Sequence, residues 1–245
     1  RKPAVRFAAK SEQGKRIQNE DQLFIPTRPG DVPLAVVADG MGGHNAGSTA
    51  STLAVEVLVE QLRKGGIEPI EDRILAALEA ANAAVYQHAL ENPNCRGMGT
   101  TMVLALAFKS KYVAANVGDS RLYFFDGQAL TQISHDHSYV AQLVAAGQIT
   151  PEQAMYHPRR NIITRALGTR QAEQADLFRG EWKQGDMLLL CSDGLYGVLD
   201  DREMARILRE EPDLDAACEQ LVRNALYGGT TDNVSVVLIR NEEGK

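Results

Sequence analysis

One feature constrains this chain more than any other: an apolar run that ends in Asp-Gly, and that occurs twice. "LAVVADGM" covers residues 34–41, and "MLLLCSDGL" covers residues 187–195. Each begins with consecutive apolar residues, which is typical of a buried strand. Each therefore places a carboxylate, Asp39 or Asp193, at the end of a core strand. A third carboxylate, Asp232, precedes the apolar run "VSVVLIR". If these strands are neighbours, the three carboxylates converge at one edge of the core.

Three neighbouring carboxylates repel one another, which raises the pKa values of some of them. A hard divalent cation would neutralise this charge, and oxygen ligands favour Mg²⁺ or Mn²⁺ over Zn²⁺. Gly40 can add its backbone carbonyl because no side chain blocks the approach. The alternative is a simple turn, since a single Asp-Gly is usually no more than that. An EF-hand is excluded because its D-x-[DN]-x-[DN]-G spacing is missing. The repetition and the third aspartate favour a metal site.

The bulk composition excludes several classes of protein. The chain has 245 residues, of which 44% are hydrophobic, enough for one large core or two small ones. Its net charge of −6 does not suggest a nucleic-acid partner. The three cysteines form no C-x-x-C pair, and the odd number argues against a disulfide framework. No apolar run approaches the roughly 20 residues needed to span a bilayer. We therefore predict a cytoplasmic protein without a membrane partner.

The periodicity predicts an α+β protein. Helices are expected at 46–64, 70–90, 201–211 and 214–227, and a broken helical stretch at 138–157. Strand-like runs begin at Thr100, Tyr112, Arg121 and Asp186, and a last one closes the chain after Asn233. The short turns between several of them indicate antiparallel neighbours. This pattern favours one sheet packed on another, with helices outside.

A further segment, "GKRIQNED" at residues 14–21, precedes the first Asp-Gly. With "VADGMGGH", "GMGTT", "NVGDSR", "DHS", "CSDGL" and "TTDN", in that order, it resembles the PPM family. These proteins are the metal-dependent serine/threonine phosphatases of the 2C class. The resemblance spans residues 6–240 and is strongest to compact bacterial members that act beside Hanks-type kinases.

The resemblance implies one phosphatase domain over residues 1–245. Its fold would be a four-layer α-β-β-α sandwich of two antiparallel sheets, with a flap subdomain at about 138–165. Its cofactors would be two core Mn²⁺ or Mg²⁺ ions plus a weaker third. By motif, Asp39 would bridge the two core ions, Gly40 would offer its carbonyl, and Asp193 and Asp232 would complete the set.

Other site residues follow from the same motifs. Glu20 and Asp21 would hold ion-bound waters in an outer shell, to which we also assign Asn233. Asp136 would hold the third ion together with Asp193. Asp119 is either a turn residue or an outer-shell group, while Thr100 and Thr101 are expected only to start a strand.

Two residues are predicted to act on the substrate. Arg16 would bind the phosphate, because its planar fork matches two phosphate oxygens. His44 follows the first Asp-Gly and is either a general acid or a loop residue bonded to a carboxylate. In many eukaryotic members a histidine follows that Asp-Gly directly, whereas Met41 stands there in this chain.

Other phosphatase chemistries lack their residues. None of the three cysteines begins a C-x5-R motif, and the only near match to D-x-D-x-[TV], at 213–215, is followed by Ala-Ala. No nucleotide-binding P-loop is present either. Direct attack by a metal-activated water is the remaining route.

The predicted partners are phosphoprotein substrates, including a Hanks-type kinase, and the protein is expected to be a monomer. An alternative is a catalytically inactive phosphatase fold that serves as a binding module. Such a protein would have lost at least one of Asp39, Asp193, Asp232 and Arg16, and all four are present.

Overall fold

The computed structural model describes residues 4–242. This part of the chain contains eleven strands. They are β1 (Val5–Glu12), β2 (Asp21–Phe24), β3 (Leu34–Met41), β4 (Gly99–Thr100), β5 (Met102–Ala107), β6 (Lys111–Val117), β7 (Arg121–Phe125), β8 (Leu130–Gln132), β9 (Asp176–Glu181), β10 (Met187–Cys191) and β11 (Val234–Asn241).

Seven α-helices and one 3₁₀ turn at Pro93–Cys95 complete the described elements. The helices are α1 (Ala46–Arg63), α2 (Ile70–Glu91), α3 (Tyr139–Ala145), α4 (Pro151–Met155), α5 (Asp193–Tyr196), α6 (Asp201–Glu210) and α7 (Leu214–Tyr227). Among the described residues, no helix combines the length and apolar character that crossing a membrane requires.

The strands form two antiparallel sheets. One has the order β1-β11-β10-β7-β8, and the other has the order β2-β3-β5-β6-β9 with β4 paired to β3. Thus β3 lies in one sheet, while β10 and β11 are neighbours in the other. The strands that carry the Asp-Gly motifs therefore lie in different sheets, and only the packing of the sheets can bring their ends together.

The two sheets pack face to face and helices cover their outer faces, so the central strands are buried on both sides. Val37 packs between the sheets against residues such as Leu190 and Val237. Its neighbour Val36 points to the other face, where α1 and α2 cover the second sheet. On the far side, α6 and α7 cover the first sheet. Because both faces are apolar, these strands are continuous apolar runs rather than alternating ones. The predicted α+β fold with two antiparallel sheets is confirmed.

Most predicted elements are present, and the missed strands have a common cause. The four long helices begin where expected and end within one residue of the predicted position. By contrast, β1, β2, β8 and β9 were not predicted. All four are edge strands, and most of their residues are only partly buried. An edge strand carries a weaker apolar pattern than a central one.

The segment predicted as a flap, residues 138–165, forms α3, α4 and the loops around them. Its two ends are joined, because Ser138 forms a β-bridge with Ile163. Next to this bridge, the Thr164 N–H donates to the His137 carbonyl at 2.9 Å. The segment therefore leaves the sandwich and returns to it at one place.

Candidate active site

Three aspartates converge where the two sheets meet. Asp39 lies near the end of β3, Asp193 begins α5 directly after β10, and Asp232 precedes β11. One carboxylate oxygen from each lies within 4.8 Å of the others. The convergence expected from the repeated Asp-Gly pattern is therefore present.

Glycines without side chains allow this close approach. A Cβ at Gly194 would overlap the Asn233 carbonyl, and a Cβ at Gly40 would overlap the Gly47 carbonyl. The first contact brings α5 against the segment that carries Asp232. The second brings the end of β3 against the first turn of α1. The glycine of each Asp-Gly pair is thus required by backbone packing.

The clustered carboxylates repel one another, and this raises their pKa values. Burial and then neighbouring carboxylates raise the pKa of Asp39 well above its ordinary value. For Asp193, burial and then the charge of Asp232 raise the pKa to about 6. This is the signature of acidic groups without a counter-ion.

Asp21 adds a fourth carboxylate, held in place by two serines. It is paired with Asp39 across β2 and β3. Its Oδ2 atom accepts from Ser192 Oγ at 2.9 Å and from Ser235 Oγ at 2.6 Å. Burial nevertheless raises its pKa to about 7. The serines escaped the sequence analysis, although Ser235 is a polar residue inside an otherwise apolar strand.

Thr101 also has a role that the sequence analysis missed. Its side-chain oxygen accepts from the Asp39 N–H at 3.0 Å, and its own N–H donates to the Asp39 carbonyl at 2.9 Å. It lies at the break between β4 and β5. Thr101 therefore fixes the backbone that carries Asp39, which is more than starting a strand.

Asn233 holds the loop that carries Arg16 and Glu20. Its Nδ2 donates to the carbonyls of Gln13 and Gln18, both at 2.8 Å, and its Oδ1 accepts from the Glu20 N–H at 2.9 Å. The side-chain amide is thus committed to backbone groups. These contacts show that Asn233 positions this loop, and its outer-shell role stays a prediction.

The donor set fits divalent cations. Buried oxygens of Glu20, Asp21, Asp119 and Asp193 have no hydrogen-bond partner among the described residues. Buried polar atoms are rarely left unpaired, so such a group of acidic oxygens indicates a missing cation. The set contains only oxygen ligands, as Mg²⁺ and Mn²⁺ prefer.

The comparison with known families agrees with this geometry. Residues 9–226 match the family described as protein phosphatase 2C. The chain belongs to this family. It is 36% identical over 238 residues to the serine/threonine phosphatase Stp of Listeria monocytogenes, covering 95% of this chain and 94% of that protein.

Solved structures resemble this 2C phosphatase over nearly its full length. The serine/threonine phosphatase Stp1 of Staphylococcus aureus has a TM-score of 0.91 at 37% identity, covering 98% of this chain and 96% of that one. The catalytic domain of the phosphatase PstP, in complex with two manganese ions, has a TM-score of 0.86 at 36% identity. In that case 98% of this chain and 99% of the other are covered. This chain is a metal-dependent protein serine/threonine phosphatase.

One predicted ligand of the phosphatase has a different partner. Two nitrogens of Arg121 donate hydrogen bonds to the Asp136 carboxylate, at 3.0 and 2.7 Å. The Gln132 side chain donates to the same carboxylate at 2.9 Å. The guanidinium neutralises Asp136 in this structure, and the role of Asp136 as ligand of a third ion stays a prediction. Asp119 is 3% exposed and keeps an unpaired oxygen, and burial and the Asp193 charge raise its pKa well above the ordinary value.

Arg16 lies beside the carboxylates, and only the Nε atom of its guanidinium contacts them or the backbone. Its Nε donates to the Thr231 carbonyl at 3.1 Å and lies 3.5 Å from an Asp232 oxygen. Its terminal nitrogens make no hydrogen bond to any described residue, and 55% of the side chain is exposed. An anchored guanidinium with an open end suits phosphate binding, which stays a prediction for this residue.

His44 is exposed and adopts a left-handed backbone, with φ of 51°. Within residues 4–242, its ring forms no hydrogen bond. The arrangement therefore lacks the predicted contact with a carboxylate, and the general-acid role of His44 stays a prediction.

Proposed function

We propose that this phosphatase hydrolyses phosphoserine and phosphothreonine in proteins, using two Mn²⁺ or Mg²⁺ ions at the carboxylate cluster. The observation that carries this proposal is the approach of Asp39, Asp193 and Asp232 to within 4.8 Å, with unpaired buried acidic oxygens around them. A second support is the manganese complex of the related PstP domain.

Different residues of the site would bind the ions, the phosphate and the attacking water. Asp39, Asp193 and Asp232 would hold the ions, and the Gly40 carbonyl lies next to Asp39 in the chain. When bound, such ions neutralise phosphate charge and lower the pKa of water. Arg16 would bind phosphate oxygens with its terminal nitrogens, and this orients the ester for in-line attack. Glu20 and Asp21 would orient water with their unpaired oxygens.

For a weaker third ion, we propose Asp119 and Asp193 as the protein ligands. Both keep a buried oxygen without a partner, whereas both oxygens of Asp136 contact Arg121. In this proposal Asp119 takes the place of Asp136, whose carboxylate is paired with Arg121.

Phosphoproteins are the proposed substrates, and a Hanks-type kinase and its targets are the proposed partners, as the family resemblance implies. We also propose that the protein acts in the cytoplasm. Its three cysteines are unpaired, which suits a reducing compartment. An inactive binding module is not favoured, because every proposed ion ligand and Arg16 are present.

Phosphate release from a phosphothreonine peptide tests the proposal. We expect turnover with added Mn²⁺, none after chelation, and recovery when Mn²⁺ is restored. Asp232→Asn should lose this turnover, whereas Asp72→Asn, an exposed change in the first turn of α2, should not. Binding of Mn²⁺ without phosphate release by the wild type would support the inactive module instead.

A further inference from the structure

Tyr196 connects two parts of the metal site that are far apart in the chain. It is the last residue of the four-residue helix α5, which begins at Asp193. Its hydroxyl donates to the backbone carbonyl of Asp119 at 2.6 Å. The same short helix therefore carries one carboxylate and binds the backbone of another.

The Tyr196 ring is itself held by a partly buried ion pair. The guanidinium of Arg121 lies 3.6 Å from the ring centre, a close cation–π contact. Asp136 pairs with that guanidinium through two oxygens, and Arg121 also donates to Tyr123 Oη at 2.9 Å. Since Arg121 follows Asp119 by two residues, Tyr196 contacts this loop twice, at a carbonyl and at a side chain.

The connection matters because Asp119 and Asp193 repel each other. Asp119 is buried and Asp193 is partly buried, and each has an oxygen without a hydrogen-bond partner in the described chain. The β7–β10 pairing ends at Arg121 and Cys191, two residues from each aspartate, and therefore brings both aspartates to the same end of the sheet. Beyond that pair, the repelling carboxylates need a further restraint. A hydrogen bond and a ring contact from α5 to the Asp119 loop supply that restraint.

We propose that Tyr196 is a positioning residue that holds Asp119 and Asp193 at a separation that one divalent cation can bridge. It acts through the Asp119 backbone and does not touch the ion. Asp136 contributes indirectly, because it orients the Arg121 guanidinium against the Tyr196 ring. This inference rests on the proposed third ion between Asp119 and Asp193.

The test compares Tyr196→Phe with Tyr123→Phe. Both replacements remove one buried hydroxyl from the surroundings of Arg121, but only Tyr196 reaches Asp119. Binding of Mn²⁺ is measured by calorimetry on each purified full chain, with circular dichroism to confirm folding. We expect the wild type and Tyr123→Phe to bind two ions tightly and one weakly. In Tyr196→Phe, the tight ions should be unchanged, and the Kd of the weak ion should rise about fivefold, the effect of one lost neutral hydrogen bond.

A double variant separates positioning from general loosening. With Asp119→Asn already present, Tyr196→Phe should cause no further change in the weak ion. If Tyr196→Phe does not fold, Asp136→Asn provides the second test, because it weakens the hold on Arg121 and should raise the same Kd by a smaller factor.

Three results would overturn the proposal: equal effects of the two Phe variants, loss of the tight ions in Tyr196→Phe, or a wild-type stoichiometry of two. Failure of the proposed function is distinguishable, because the wild type would then bind three ions and release no phosphate from the phosphopeptide.

Discussion

Asp21 and Asp39 lie directly opposite each other on the antiparallel strands β2 and β3. Like charges at such a cross-strand pair are normally destabilising. Here the Asp21 carboxylate is held by Ser192 and Ser235, and Asp39 faces Asp193 and Asp232. The pair is a local cost to folding that a bound cation can reverse.

Asp193→Asn should nearly abolish turnover and leave the fold intact. Removing a direct ligand should lower kcat/KM for a phosphopeptide by more than about 100-fold, since changes behind a ligand already cost 10–100-fold. The metal-free variant should be more stable, by about 1 kcal/mol or roughly 2–4 °C in Tm, because one repelling charge is gone. Near-normal activity at saturating Mn²⁺ would contradict the assignment.

The metal-free protein should become more stable as the pH falls from 8 toward 5. Its Asp21 and Asp193 have pKa values of about 7 and about 6 in the folded state, above the ordinary value of 3.8. The folded state therefore binds more protons than the unfolded state, and stability is lost as the pH rises through this window. Thermal melts after metal removal check this. The melting temperature of the Mn²⁺-loaded protein should not rise in the same way, and a metal-free maximum near pH 8 would refute the prediction.

Gly194→Ala should disturb the site through the backbone alone. The new Cβ would overlap the Asn233 carbonyl, so α5 must move away from Asp232. We expect a loss of about 1–3 kcal/mol in the free energy of unfolding, in the range for overpacking, together with weaker Mn²⁺ binding. Gly43→Ala is the matched control, because no atom lies within 4 Å of its Cβ position. Similar melting and Mn²⁺ titration of the two variants would argue against this packing role.

Arg16→Ala should raise KM for a phosphopeptide more than it lowers kcat, if the fork binds the ground state and the transition state about equally. Arg16→Lys should restore only part of the loss, because an ammonium cannot form the bidentate pair. The exposed neighbour Lys15 supplies the control, Lys15→Ala, for a simple loss of positive charge. An unchanged KM in both Arg16 variants would show that Arg16 is an ordinary surface cation without a role in phosphate binding.

His44→Ala should distinguish a general acid from a loop residue. Phosphoserine expels an alkoxide that needs a proton, whereas p-nitrophenyl phosphate expels a stable phenolate. A general acid is worth about 10²–10⁴-fold, and only for the first substrate. Steady-state rates on both substrates measure the difference. Equal losses on the two substrates would exclude the acid role.

Local patterns in the sequence were enough to identify the long helices, the central strands and the three converging aspartates. A helix face gives a periodic apolar pattern and a fully buried strand gives a continuous apolar run, and both can be recognised from a few neighbouring residues. The motif order also led to the phosphatase family, which residues 9–226 confirm. The edge strands β1, β2, β8 and β9 are less buried, so their apolar pattern in the sequence is weaker.

The partner of each polar side chain was decided only by the tertiary structure. Asp119 follows the apolar strand β6 and Asp136 follows a polar loop, but neither local setting shows what the carboxylate binds. The fold places Arg121 against Asp136 and leaves an oxygen of Asp119 unpaired. In the same way, Asn233 binds backbone groups near residue 13, and Tyr196 reaches Asp119. Such hydrogen bonds join segments that are distant in the chain, so their energies depend on how the two sheets pack and not on any neighbouring residue.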